Sequence, residues 1–113
     1  MQQIVDLEQD PVFKAMNIAL VSLSSDSTGD LQRVGAEYGV TTPLLSDPDK
    51  TVSESYNVLR WATPSGEPSH TFILLNADGK VIWVQDYGHP DNGGRMYVPL
   101  EELDQEIASA LNK

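Results

Sequence analysis

The sequence predicts an α/β fold in which helices pack on both faces of one central mixed sheet. Three stretches carry that prediction. Asn17-Ile18-Ala19-Leu20-Val21-Ser22-Leu23 is a short, nearly continuous apolar run, the pattern of a strand buried on both faces in a parallel sheet. Val81-Ile82-Trp83-Val84 and the stretch from His70 to Leu75 flank Asn76-Ala77-Asp78-Gly79-Lys80, where Gly79 can take the positive φ that closes an antiparallel hairpin. Beyond Pro99, the residues Leu100, Leu103, Ile107, Ala110 and Leu111 form one apolar stripe at helical spacing, so a C-terminal helix covers the sheet.

The remaining elements follow in order. Met1, Ile4 and Val5 recur at helical spacing, with Asp6 and Glu8 outside, and Asp10-Pro11 ends or bends that helix. No capping residue precedes Met1, so the natural helix is expected to start further upstream and the fold to be N-terminally incomplete. After the first strand, Ser27 or Thr28 caps a helix whose inward residues are Leu31, Val34, Tyr38 and Gly35, and Gly39 stops it. Thr41 to Ser46 holds a short extended piece, and Asp47-Pro48-Asp49 makes the turn after it. Thr51 to Val58 is a helix with Val52, Tyr56 and Leu59 on one side. Arg60 to Pro68, with Pro64, Gly66 and Pro68, reads as an irregular surface loop containing Trp61.

The chain of 113 residues has the size of one domain, and no Gly- or Ser-rich linker or internal repeat divides it, so residues 1–113 read as a single domain. Seven Lys and Arg against seventeen Asp and Glu give 7 − 17 = −10, a charge that repels phosphate backbones and argues against nucleic acid as a partner. No apolar run approaches the ~20 residues of a membrane span, and the N-terminal residues lack the pattern of a signal peptide, so the expectation is a soluble, unexported chain of undetermined compartment. There is no cysteine, which removes disulfides, thiolate metal sites and cysteine catalysis from this chain.

Pro43-Leu44-Leu45-Ser46-Asp47-Pro48-Asp49-Lys50, leading into Val52-Ser53-Glu54-Ser55-Tyr56-Asn57-Val58, resembles the peroxiredoxin and redoxin family (alkyl hydroperoxide reductase and thiol-specific antioxidant type) of the thioredoxin-like superfamily. The run from His70-Thr71-Phe72 through Asp78-Gly79-Lys80-Val81 is similar to that family's last hairpin, and the likeness extends from about Met1 to Leu111. The resemblance implies a thioredoxin-like fold and either peroxide reduction by a thiolate or thiol-disulfide exchange. Both need a cysteine at the N-terminus of the first core helix, where the helix dipole lowers a thiol pKa. That position would lie upstream of Met1. Two positions depart from the family: Ser69 stands where peroxide-reducing members carry an Arg, and Pro68 lies one residue before the place of the cis-proline of thioredoxin-like members, which leaves a cis Glu67–Pro68 bond open.

The candidate groove or partner-binding residues are Trp61, Pro68 and His70, and no catalytic, cofactor-binding or metal-binding residue is assigned. Trp61 beside Arg60 offers a large contact area with a polar rim, against the alternative that it anchors its own loop. His70 reads as a hydrogen-bonded edge residue before it reads as a ligand. His89-Pro90-Asp91-Asn92 lacks the three or four convergent ligands of a zinc site, and Gly93-Gly94-Arg95 precedes no helix start that would cradle an anion. Asp47 and Asp49 read as caps and turn formers in a turn open to water. Two functions remain: a portion of a thiol-dependent oxidoreductase that is inactive alone, or a non-catalytic thioredoxin-like binding or assembly module. No cofactor is expected. The partners expected are a protein at the groove and a second copy of the chain, because a central strand of the family's sheet has no counterpart here. The two neighbouring strands must then close on each other or dimerise, and a homodimer is the favoured outcome.

Overall fold

The computed structural model describes residues 1–112; Lys113, the last residue of the expected domain, lies outside the described residues. The chain divides between Asn57 and Val58 into two compact units.

The first unit opens with α1 (Gln2–Gln9) and α2 (Pro11–Ala15). Asp10 stops α1 with an extended backbone and caps α2 by accepting the Val12 N–H at 3.1 Å, while Pro11 takes a first-turn position that needs no N–H. The expected bend is therefore present. Leu7 and Phe13 are the buried apolar residues of the pair, so α1 seats Leu7 and Gln3 inward and leaves Met1, Ile4 and Val5 half-buried.

The first strand, β1 (Ser22–Ser24), is shorter than the expected run from Asn17. Asn17 sits in the left-handed region at φ 58° and closes the turn after α2, so the ladder begins only at Ser22. There β1 pairs in parallel with β2 (Leu44–Ser46), Leu23 opposite Leu45. Burial on both faces is not found: Val21 is 53% exposed, Leu23 38% and Leu45 49%. The cause is the narrowness of the sheet, since two strands with a helix against the Leu44 side leave the opposite apolar row open.

That helix is α3 (Thr28–Tyr38), capped by Ser27, whose hydroxyl accepts the Asp30 N–H, and stopped by Gly39 at φ 77°. Leu31 and Gly35 are its buried residues; Tyr38, expected inside, lies exposed on the last turn. A Cβ on Gly35 would stand 2.6 Å from Leu44 Cδ1, so this glycine lets α3 lie close on β2. In α4 (Thr51–Ser55) the inward residue is Ser53, and Val52 and Tyr56, expected to face the core, are exposed. The helix is turned by Asp47, whose carboxylate binds Ser53, and it ends before Asn57 at φ 59°.

The second unit starts with a single 3-10 turn, Leu59–Trp61, followed by an irregular loop. The hairpin β3 (Thr71–Leu75) and β4 (Val81–Asp86) follows the predicted pairing, with Gly79 at φ 79° and Asn76 Oδ1 accepting from the Asp78 and Lys80 N–H groups in the turn. A second 3-10 turn spans Pro90–Asn92, and α5 (Leu100–Leu111) follows Pro99. Leu103 and Ile107 of α5, with Val58, Leu74, Tyr87, Val98 and Ala110, are the buried apolar residues of this unit; Leu111, placed on the same stripe, is exposed where the helix ends. The parallel and antiparallel pairings of a mixed α/β fold are thus both present, in two two-stranded ladders. Among the described residues no helix is long and apolar enough to cross a membrane.

Truncating Leu103, which has no exposed surface, to alanine is expected to cost about 2–5 kcal/mol, whereas Leu111→Ala should stay within about 0.5 kcal/mol. Both tryptophans lie in the second unit, so urea unfolding followed by their fluorescence reads the difference. Equal losses would contradict the packing of α5.

Candidate functional site

The polar centre of the second unit lies where the hairpin strands end. Asp86, the last residue of β4, is only 1% exposed. A buried carboxylate is tolerable only when donors surround it. Its Oδ1 accepts the Thr71 hydroxyl across the ladder at 2.7 Å, and its Oδ2 accepts the His89 N–H and the Asn92 side-chain amide, each at 2.9 Å. Burial alone would raise its pKa; the donors of Asn92, Thr71, His89 and Gly88 outweigh that and hold it below the ordinary carboxylate value. The loop from Tyr87 to Asn92 is folded around this one side chain.

Gly88 makes the fold-back feasible. A Cβ there would overlap Ser69 Oγ and approach the His70 nitrogen to 2.6 Å. The loop is closed further by Tyr87 N–H to His70 O at 2.8 Å and Arg95 N–H to Tyr87 O at 2.7 Å. His89 caps the 3-10 turn, its Nδ1 accepting from the Asp91 N–H at 3.0 Å. Arg95, considered as an anion cradle, has its guanidinium committed to both carboxylate oxygens of Glu102 on α5.

All three candidate groove residues belong to this unit. His70 is half-buried at the mouth of β3, its ring edge-on to Phe72 at 5.1 Å, and Phe72 is edge-on to Tyr87 at 5.8 Å. Burial lowers the pKa of His70, against the opposing charge of Asp86. Trp61 is half-buried and lies under the Arg60 guanidinium, 3.9 Å from the ring centroid. Pro68 is half-buried in the loop before β3, and the Glu67–Pro68 bond is trans. Sequence reasoning missed Asp86, Tyr87 and Gly88, which lie between the predicted hairpin and Pro99. The available signal was a carboxylate at the end of an apolar strand, followed by a glycine.

The first unit carries two further carboxylate knots. Glu8 of α1 accepts from the backbone N–H and hydroxyl groups of both Thr41 and Thr42, and its pKa is lowered because these donors outweigh the burial that would raise it. It borders a cleft of about 400 Å³ lined by Leu7, Phe13, Leu20 and Pro43, with Lys14 at its edge. Asp47 caps α4 as expected, through Val52 N–H, Ser53 N–H and the Ser53 hydroxyl. It is 3% exposed, however, and not open to water, because Ser53 is itself buried over it. Asp49 takes the turn role, accepting from Thr51 N–H.

Chemically, these are saturated carboxylates, positioned as acceptors that fix loops. Among the described residues no three His, Asp or Glu side chains converge as a metal site.

The sequence profile of the AhpC/TSA family matches residues 2–84, most of the chain. The chain belongs to the AhpC/TSA family. No curated protein sequence matches it. Among solved structures it is similar to AhpC of Mycobacterium tuberculosis (TM-score 0.74, 16% identity, 99% of this chain against 61% of that one). It is similar also to Mycobacterium bovis AhpC (0.71, 18%, 99% against 64%) and to a cysteine-to-serine mutant of Xylella fastidiosa PrxQ (0.65, 18%, 98% against 63%). At these identities the likeness carries the fold, which is the thioredoxin-like α/β fold expected from the hairpin and the Pro43 to Lys50 motif. This AhpC/TSA chain spans less than two thirds of the length of those structures. The family match ends at residue 84, just before the Asp86 knot.

Removing the Asp86 carboxylate strands donors from Thr71, Asn92 and two backbone groups. Asp86→Ala is therefore expected to cost about 1–3 kcal/mol at neutral pH. Because the folded pKa lies below the unfolded one, the stabilisation is present above the ordinary carboxylate value and is lost as pH falls through the folded value. Urea midpoints of the two proteins should converge on acidification. A gap that stayed constant down to the acid end would refute the linkage.

Proposed function

We propose that this chain is redoxin scaffold without redoxin chemistry: a portion of a thiol-dependent, peroxiredoxin-like antioxidant protein that is inactive by itself. One observation carries the reading. An AhpC/TSA chain of 113 residues has no cysteine, and the family's chemistry needs a thiolate as the attacking species. The carboxylates of Glu8, Asp47 and Asp86 are each engaged by several donors that fix loops. The chain with a dithiol reductant and hydrogen peroxide is expected to consume peroxide no faster than the blank, and to reduce no protein disulfide. Catalytic peroxide consumption that survives metal chelation would overturn the proposal.

The second reading is a non-catalytic binding or assembly module, in which Trp61, Pro68 and His70 form the surface for a protein partner. The Arg60–Trp61 stack favours it, since a cation over an indole ring presents a preset contact of low entropy cost. We read residues 1–113 as one redoxin domain, because the family match crosses from the first compact unit into the second.

The same proposal extends to assembly. The β1–β2 ladder is two strands wide and carries the exposed row Val21, Leu23 and Leu45, and such edges and faces recruit a further layer. A homodimer is expected for the isolated chain. Sedimentation at micromolar concentration and moderate salt, which screens the charge of −10, tests it; a monomer across the whole concentration range would exclude it.

A further inference from the structure

One of the donors that hold Asp86 is chemically perishable. Asn92 gives its side-chain amide to Asp86 Oδ2, and of the chain's five asparagines it alone is followed by glycine. With no Cβ on the following residue, the backbone nitrogen meets least hindrance in approaching the asparagine side-chain carbon.

We propose that Asn92 is a deamidation site and that its conversion undoes the Asp86 knot. The Gly93 nitrogen gives up its proton and bonds to Asn92 Cγ. The Cγ–Nδ2 bond breaks, and the nitrogen leaves as ammonia. Water then opens the cyclic imide at either carbonyl, leaving aspartate or isoaspartate at position 92. The only co-reactant is water, and no oxidation state changes.

Folding restrains both reacting groups. Gly93 N–H donates to Pro90 O at 3.3 Å, and the Asn92 amide is held on Asp86. Conversion therefore proceeds through openings of the segment from Pro90 to Gly94. After conversion that segment cannot reclose as before: a donor has become a carboxylate facing a carboxylate that is 1% exposed. The nearest cationic side chain of the loop, Arg95, is occupied by Glu102. Asp91 is exposed and adds charge of the same sign.

The test is incubation of the whole chain at mildly alkaline pH, with and without urea, followed by peptide mapping for conversion of amide to acid. Amide loss is expected first at Asn92 in urea and several-fold more slowly in the folded chain. In urea unfolding, Asn92→Asp should lower the midpoint more than Asn92→Ala, which removes the donor without adding charge. Should Asn92→Asp fail to fold while Asn92→Ala folds, the charge argument stands. Faster conversion at another asparagine, equal rates in the folded and unfolded chain, or an alanine variant as destabilised as the aspartate variant would overturn the proposal.

Discussion

A carboxylate taken out of water must be matched donor by donor, and in the second unit that requirement falls on Asp86. The side chain lies at the end of β4, where the ladder supplies one donor, Thr71, and the following loop supplies the others. Thr71 fixes the knot to β3, and Gly88 permits the close approach to Ser69 and His70. Arg95, tied back to Tyr87 and forward to Glu102, passes the constraint on to α5. The C-terminal helix is thus tied to the hydrogen-bonding of one buried carboxylate as well as to the burial of Leu103 and Ile107.

What was legible in the sequence was local. The Ser27 cap, the Gly39 stop, the Asp10-Pro11 bend and the Gly79 turn each depend on contacts within a few residues, and each stands where the chain's own chemistry places it. The features missed depend on distant partners. Glu8 reads as an outward residue of α1 until Thr41 and Thr42 are brought beside it, and Asp47 reads as solvated until Ser53 closes over it. Val52 and Tyr56 keep the spacing of a buried face, yet the hydrogen bonds of Asp47 decide which side of α4 turns inward. The apolar run before Ser24 marks a strand made for burial on both sides, and the two-strand ladder cannot provide it.

The candidate site shows the same division. Trp61, Pro68 and His70 stand out by residue type in a loop and at a strand mouth, which sequence displays directly. The carboxylate that organises their neighbourhood was hidden, because an aspartate after Val84-Gln85 carries no mark of burial until the antiparallel register sets it opposite Thr71. Family membership was visible for another reason: the turn and hairpin motifs are short, contiguous and rich in residues with fixed backbone preferences.

The bond set between Glu8 and the Thr41-Thr42 pair also bears on the order of folding. It joins residues 33 and 34 apart, and the β1–β2 ladder just beyond joins Ser22 to Leu44. The hairpin closes with Leu75 opposite Val81. Each doubling of a closed loop adds about 0.6 kcal/mol of closure entropy, so the first unit starts from a barrier roughly 1 kcal/mol higher before any contact rewards it. A polar staple made of four donors on one carboxylate gives little return until it is complete. The hairpin therefore closes at a lower entropic cost than the contacts that join the first unit.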